Sequence, residues 1–367
     1  MPATKRKIRV GILFGGKSVE HEVSLMSARN VVAALDRKRY EPVLIGIDKA
    51  GHWRKGEGLM LESKTGAQLQ QRKQGQEVVF APENKGKFTS VIPTTTKEGS
   101  ETLDVVFPIL HGPLGEDGTV QGLLKLAGIP FVGADVLGSA IGMDKDVMKR
   151  LLREAGLPLV PFLVFRQGEK MSYAAVAKQL GTTIFVKPAN AGSSVGVSKA
   201  KSQREFTAAV KLAFRFDNKI IIEQAITGRE IECAVLGNRR LTVAVPGEVI
   251  PTHEFYSYEA KYLDENGARL EVPAKLTQKQ VRVVQTLAKR VFQTLECAGL
   301  ARVDFFLTSR GKWYVNEINT IPGFTSISMY PRMFAASGIS YPELIDRLIT
   351  LALERFQEEA KRATSRV

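Results

Sequence analysis

Residues 300–323 read Leu-Ala-Arg-Val-Asp-Phe-Phe-Leu-Thr-Ser-Arg-Gly-Lys-Trp-Tyr-Val-Asn-Glu-Ile-Asn-Thr-Ile-Pro-Gly. Two β-rich runs flank Arg310-Gly311, the pattern of a hairpin. With Ser309 paired to Lys312, Asp304 lies opposite Glu317 and Arg302 opposite Asn319. Side chains alternate faces along a strand, so these four share one face. Two facing carboxylates destabilise a strand pair. A divalent cation between them removes the conflict. Asp, Glu and Asn offer only oxygen, which suits Mg²⁺, and Mg²⁺ usually arrives with phosphate. The bland alternative is a solvated polar face on an edge hairpin.

The chain has 367 residues, enough for two or three domains. Its net charge of +14 admits nucleic acid, an anionic membrane or small anions as partners. No concentrated basic stripe with interleaved aromatics occurs, which favours a small phosphate-bearing substrate. Cys233 and Cys297 show no CxxC spacing, which argues against a disulfide framework or a structural zinc site. They read as buried thiols in a reducing compartment. The apolar run after Lys5-Arg6-Lys7 is too short for a secretory signal. No run approaches the ~18 apolar residues of a membrane span. A cytoplasmic enzyme is the expectation.

A buried strand at residues 8–14, a Gly-rich loop and a helix from Glu22 to Leu35 open the chain. Strands near Val43–Ile47 and Val105–Leu110 and a helix near Val120–Ala127 follow. Such alternation predicts a parallel sheet with helices on its faces. Residues 62–102 are polar and read as an insertion with one edge hairpin. A helix at Asp144–Ala155 and strands near Leu159–Phe165, Thr183–Val186 and Val195–Lys199 belong to a second unit. A third holds strands at Glu230–Leu236 and Leu241–Val249 and a loop-rich segment to Lys275. Thr277 and Gln280 form a capping box for a helix to about Leu295. The domains are therefore expected at 1–135 (with the insertion), 136–222 and 223–358, with a tail at 359–367. Gly11 to Ser18 formally matches a P-loop. Because Gly11 sits inside the strand, a Gly15-Gly16 turn after that strand is the better reading.

Several segments look like ligand sites. Lys187 ends an apolar strand, and the Gly/Ser-rich turn through Ser193 to Gly196 lets backbone N–H groups approach phosphate. An ordinary hairpin loop is the alternative. Lys145 is a second phosphate candidate, or a solvated charge at a helix start. Glu223 ends the strand Ile220–Ile222, and Glu230 follows Gly228. These acids could hold an adenine amine or ribose hydroxyls, or be edge charges. His111 follows the strand ending at Leu110 in a Gly-rich loop, and Glu20-His21 are placed similarly in the first loop.

Seven motifs occur in one order: Gly15-Gly16…Glu20-His-Glu-Val-Ser24; His111-Gly112…Gly115-Glu-Asp-Gly118; Met143-Asp-Lys145; Lys187-Pro…Gly192-Ser193-Ser-Val-Gly196; Tyr258-Glu-Ala-Lys261-Tyr262; Arg302-Val-Asp304; and Asn316-Glu317-Ile-Asn319-Thr-Ile-Pro-Gly323. This order resembles the D-alanine–D-alanine ligases, ATP-grasp enzymes of peptidoglycan precursor synthesis, over nearly the whole chain. The resemblance implies an α/β and α+β fold of three domains, an N-terminal parallel-sheet domain preceding two ATP-grasp subdomains. It implies a two-step reaction. One D-alanine carboxylate attacks the ATP γ-phosphate to give an acyl phosphate and ADP. The amine of a second D-alanine then attacks the acyl carbon and expels phosphate.

By the same resemblance, Asp304, Glu317 and Asn319 hold two Mg²⁺, with Mn²⁺ as a substitute. Lys145, Lys187 and Lys261 contact phosphate, and Glu223 and Glu230 contact adenine and ribose. Arg302 and the Gly323 N–H serve the oxyanion of the tetrahedral intermediate. Glu20 holds the first D-alanine's ammonium, with His111 near its carboxylate, and Ser328 binds the second D-alanine's carboxylate. Ser193 and Tyr262 are similar to hydroxyls linked to Glu20 across the closed site. Residues 251–275 resemble the family's ω-loop, a lid that excludes water from the acyl phosphate. A homodimer without membrane or nucleic-acid partners is expected. The Glu-Ala-Lys-Tyr pattern favours an amine as second nucleophile over D-lactate. A D-alanine–D-serine ligase on the same fold, and a non-catalytic ATP-binding regulator, are the other readings.

Overall fold

In the computed structural model, which describes residues 6–56, 76–81, 90–93, 101–251 and 268–362, the first apolar run is strand β1 (Ile8–Gly15). Its neighbours β2 (Tyr40–Ile47) and β7 (Val105–Ile109) run parallel to it. Helix α1 (His21–Ala34) makes the crossover from β1 to β2, and α2 (Thr119–Leu126) follows β7. Burial on both faces explains why β1 and β7 are almost continuously apolar.

The sheet is not parallel throughout, which corrects the expectation. Beyond β2 come β3 (Trp53–Lys55), β4 (Gln76–Ala81), β5 (Ser90–Pro93) and β6 (Glu101–Thr102), in the order β6-β5-β4-β3-β2-β1-β7. Each of these additions is antiparallel. The link from β2 to β3 is short, and short links join antiparallel strands, whereas parallel neighbours need a crossover. The hairpin expected within 62–102 is β4 and β5. The remaining residues of that segment lie largely outside the described ones.

The P-loop match is not a phosphate cradle, because Ile12, Leu13 and Phe14 are fully buried in β1. The chain turns at Gly15, whose φ of +91° is left-handed. A β-carbon there would overlap the Ile47 carbonyl oxygen, to which the Gly16 N–H donates at 2.8 Å. Only glycine fits such a turn without strain.

Two helices, α3 (Val136–Met143) and α4 (Lys145–Glu154), lead to a four-stranded sheet. The Asp135 and Asp144 side chains cap them. The first of these helices was not expected from the sequence. The sheet contains β8 (Phe162–Arg166), β9 (Ile184–Pro188), β10 (Ser198–Ala200) and β11 (Lys219–Gln224), in the order β10-β9-β11-β8. Helices α5 (Tyr173–Leu180) and α6 (Gln203–Ala213) pack on it.

The last sheet holds β12 (Arg229–Gly237), β13 (Thr242–Val243), β14 (Gly247–Pro251), β15 (Ala268–Glu271), β16 (Gly299–Leu307) and β17 (Trp313–Asn319). The single strand expected over 241–249 is two strands, broken where Pro246 has no N–H to give a ladder. Helix α7 (Gln278–Thr294) begins at the Thr277–Gln280 capping box, as expected. Helices α8 (Met329–Ala336) and α9 (Tyr341–Ala360) close the chain.

One apolar cluster joins the two ends of the chain. Val10, Ile12 and Phe14 of β1 and Phe107 of β7 pack with Phe324, Tyr330, Leu344, Ile345 and Leu348. The Tyr40 hydroxyl donates to Asp346 at 2.6 Å. Arg355 of α9 donates to the Phe131 carbonyl at 2.9 Å and to that of Gly133.

Candidate active site

The hairpin of β16 and β17 supplies one wall. Asp304 pairs with Glu317 and Arg302 with Asn319, as the sequence predicts. The turn is not the one expected. Thr308, not Ser309, meets Lys312, and the loop has three residues with Gly311 at φ +75°. That shifts the register by one. A bulge between Asp304 and Phe305 shifts it back, leaving Asn316 as the extra residue. The bulge also explains an irregular burial pattern. Trp313, Val315 and Ile318 all face the core, although 315 and 318 differ in parity. Two wrong steps thus cancel in the sequence argument, and the change of parity was the signal it missed.

On this face the Arg302 guanidinium grips Asp304 with Nε at 2.8 Å and Nη2 at 2.7 Å. The same Nε lies 3.1 Å from Glu232 of β12, which stands directly opposite Asp304. Glu317 Oε2 lies 3.6 Å from Lys145 Nζ, and Asn319 Oδ1 accepts from the Ile321 N–H at 3.1 Å. Each acid therefore already faces a cation, which offsets the repulsion between facing carboxylates.

This wall borders a cavity of about 240 Å³. Of the fifteen residues singled out in the sequence, nine line it: Glu20, His111, Lys145, Ser193, Arg302, Glu317, Asn319, Gly323 and Ser328. They come from six separate segments, so a solvated edge face does not account for them. The Ser193 hydroxyl donates to Glu20, linking the Gly/Ser-rich loop after β9 to the loop before α1. Ser193 and Ser194 have φ of +47° and +59°, left-handed values unusual outside glycine. His111 is buried, and its Nδ1 lies 3.0 Å from the Ile321 carbonyl. A carbonyl can only accept, so Nδ1 carries the proton. Burial pulls the ring below its usual histidine range, against the opposing pull of Glu20. A β-carbon on Gly323 would lie 2.8 Å from the Ser328 hydroxyl.

Four expected residues do not line the cavity. Asp304 has both carboxylate oxygens held by Arg302. Lys187 pairs with Glu223 at 2.7 Å, and Glu223 is 2% exposed. The other Glu223 oxygen lies 2.9 Å from Lys149. Burial favours a protonated Glu223, but the two lysines outweigh it and hold the carboxyl at about 2. Burial likewise opposes the Lys187 charge, and Glu223, Glu317 and Glu230 more than restore it. Glu223 is thus bound to protein cations rather than open to a nucleobase. Lys261 and Tyr262, with most of the expected lid, lie outside the described residues.

Two further residues line the cavity, and a third, Lys149, is buried beside the hairpin that forms its wall. Glu232 shares a strand face with Glu230, a spacing the sequence displays. Glu116 lines the cavity and accepts from the Gly112 N–H at 2.7 Å. Burial first, and the nearby Glu20 charge second, push its carboxyl well above the usual range. Lys149 follows Lys145 by one helical turn, a repeat that puts both on the inner face of α4.

The description of the D-ala D-ala ligase N-terminus matches residues 9–134, and that of the D-ala D-ala ligase C-terminus matches residues 151–350. The chain belongs to the D-alanine–D-alanine ligase family. A D-alanine–D-alanine ligase of Shouchella clausii (strain KSM-K16) is 50% identical over 363 residues, which is 98% of both chains. The D-alanine–D-alanine ligase A of Escherichia coli (strain K12) is 51% identical, with 95% of this chain and 96% of the relative covered. Among solved structures, the D-alanine-D-alanine ligase from Coxiella burnetii superposes with a TM-score of 0.86 at 38% identity, covering 97% of each chain. VanG D-Ala:D-Ser ligase from Enterococcus faecalis gives 0.81 at 35%, covering 95% of this chain and all of that one. The fold of this family member is accordingly ATP-grasp, with two α+β units behind an N-terminal α/β unit. Among the described residues no helix is long and apolar enough to cross a membrane.

Proposed function

We propose that this protein joins two D-alanines at the expense of ATP, through an acyl phosphate. One observation carries the reading: the Glu20–Ser193 pair, Arg302 and the acid–amide face of Glu317 and Asn319 share one cavity. An ammonium group, a developing oxyanion and a phosphate chain can then be served a few ångströms apart. Phosphoryl transfer needs positioning and charge neutralisation more than covalent help.

Each residue has work suited to its chemistry. The Glu20 carboxylate holds the first substrate's ammonium. His111 stands near that substrate's carboxylate, which attacks the γ-phosphorus, where the new P–O bond forms as the bond to ADP breaks. Lys145, Lys187 and Lys261 hold phosphate oxygens, and Glu230 serves the nucleoside. The second substrate's carboxylate rests on Ser328, and its neutral amine attacks the acyl carbon. Arg302 and the Gly323 N–H stabilise the oxyanion until phosphate leaves. Ser193 and Tyr262 tie the surrounding loops to Glu20.

The donor set fits a divalent ion. Asp304, Glu317 and Asn319 offer oxygen alone, on one sheet face. Among the described residues no three His, Cys, Asp or Glu side chains form a ready cage, so phosphate oxygens would complete the shell. Mg²⁺, or Mn²⁺ in its place, would supply neutralisation of phosphate charge there.

The deciding experiment supplies ATP, Mg²⁺ and D-alanine, follows phosphate release and weighs the product. D-alanyl-D-alanine is expected. ADP formation independent of D-alanine would instead favour an ATP-binding regulator. The resemblance to a D-Ala:D-Ser ligase makes D-serine, and then D-lactate, the acceptors to test beside it. Glu317→Ala should abolish metal-dependent turnover and leave the fold intact.

A further inference from the structure

Lys149 is fully buried in the middle of α4. Its Nζ lies 2.9 Å from Glu223 Oε1 of β11 and donates to the Asn316 carbonyl of β17 at 3.2 Å. The Phe162 ring of β8 lies 5.9 Å from the same nitrogen. Asn316 is the bulge residue: because it is bulged out of the ladder, Glu317 rather than Asn316 stands opposite Asp304. Its side-chain oxygen is buried without a hydrogen-bond partner among the described residues. The bulge is therefore held through the backbone. Val315 N–H donates to the Pro158 carbonyl on one side, and Lys149 donates to the Asn316 carbonyl on the other.

One turn earlier, Lys145 reaches the Ala191 carbonyl of the Gly/Ser-rich loop at 2.7 Å and Glu317 at 3.6 Å. Two lysines on one helical face thus meet the same hairpin. Lys145 opens to the cavity, whereas Lys149 touches no space a substrate could enter.

We propose that Lys149 is a positioning residue: it ties the Asn316 bulge, and with it the placement of Glu317, to Glu223 of the central sheet. A buried lysine that merely neutralised Glu223 would need no third partner at the bulge. The inference rests on the reading of Glu317 as a metal carboxylate for its effect on ligands, but not for its effect on the strand.

Two measurements separate these levels. Amide exchange over residues 313–319 is followed in the ligand-free wild type, Lys149→Met, Glu223→Gln and the double variant. Faster exchange is expected in Lys149→Met and in the double variant, and unchanged protection in both overturns the tie whatever the protein binds. Mn²⁺ affinity in the presence of ADP is then read by the electron-spin signal of free Mn²⁺. A loss of about tenfold is expected in Lys149→Met, the scale seen when a group supporting a metal ligand is removed. Glu223→Gln in the same chain should restore its melting temperature but not its Mn²⁺ affinity. Recovery of the affinity to that of Glu223→Gln alone would reduce Lys149 to charge compensation and overturn the proposal. If Lys149→Met does not fold, the double variant carries both readouts. A wild type that binds no Mn²⁺ with ADP would count against the proposed function, while the exchange result would still judge Lys149.

Discussion

Glu317 stands opposite Asp304 because Asn316, the surplus residue of its strand, is bulged out of the ladder. Without it, Val315, Glu317 and Ile318 would alternate in, out and in by themselves. Deleting Asn316 should therefore keep the facing carboxylates and the fold. It removes the carbonyl that accepts from Lys149, so a loss of about 1–3 kcal/mol is expected, the scale of one unmade buried hydrogen bond. Urea unfolding with circular dichroism checks this. A deletion variant that cannot fold would contradict the assignment of Asn316 as the surplus position.

Gly323 leaves no room for a side chain beside Ser328. The Ser328 oxygen already accepts from the Thr325 N–H at 2.9 Å and lies 2.7 Å from the Thr325 hydroxyl. Gly323→Ala must push that hydroxyl aside. The KM for the second D-alanine should rise by about tenfold, equivalent to roughly 1.4 kcal/mol. The KM for ATP should stay within about twofold on the same scale. Initial rates at varied D-alanine and varied ATP distinguish this local effect from collapse of the whole cavity, which would raise both.

Glu116 is pushed up by burial and by Glu20, so the folded chain keeps a proton that the unfolded chain gives up. Stability from this group is therefore present below the ordinary glutamate value and declines as pH rises above it. Glu116→Gln cannot ionise in either state. Its melting temperature should fall less than that of the wild type between about pH 5 and pH 8. Parallel melting curves would show that Glu116 is ionised in the fold.

Gly15 combines a left-handed φ with a blocked β-carbon position, whereas Gly128 has a φ of +66° and open space around it. Gly15→Ala should cost about 3 kcal/mol or more, since strain and overlap add. Gly128→Ala should cost about 1 kcal/mol, from strain alone. Denaturant midpoints of the two variants provide the comparison. Equal losses would mean that the Ile47 carbonyl yields freely.

Much of this was readable in the chain. Strand β1, helix α1 and the α7 capping box depend on local patterns, and the structure has them close to where those patterns fall. The facing of Asp304 and Glu317 was also found, although by a two-residue turn that does not exist. Local rules see a turn and an alternation, but a bulge inside a strand is fixed by what packs on either side. Trp313, Val315 and Ile318 had to be read against a core that the sequence does not draw. The repeat from Lys145 puts Lys149 on the inner face of its helix, but its partners are hidden for the same reason. A lysine in a helix reads as solvated until Glu223 and Asn316, distant in sequence, arrive around it. Of the antiparallel extension only the β4–β5 hairpin is legible; β3 and β6 escape because they are two or three residues long.

The packing of α9 against β7 and α1 has a consequence for how the polypeptide is made. Strand β7 emerges from the ribosome more than two hundred residues before the helix that completes the cover of its apolar face. Until Leu344, Ile345 and Leu348 have been synthesised, part of that face stays bare, although α1 already covers β1. A premature stop near residue 335 would spare every side chain assigned to chemistry above and still leave a product unable to seal its own beginning.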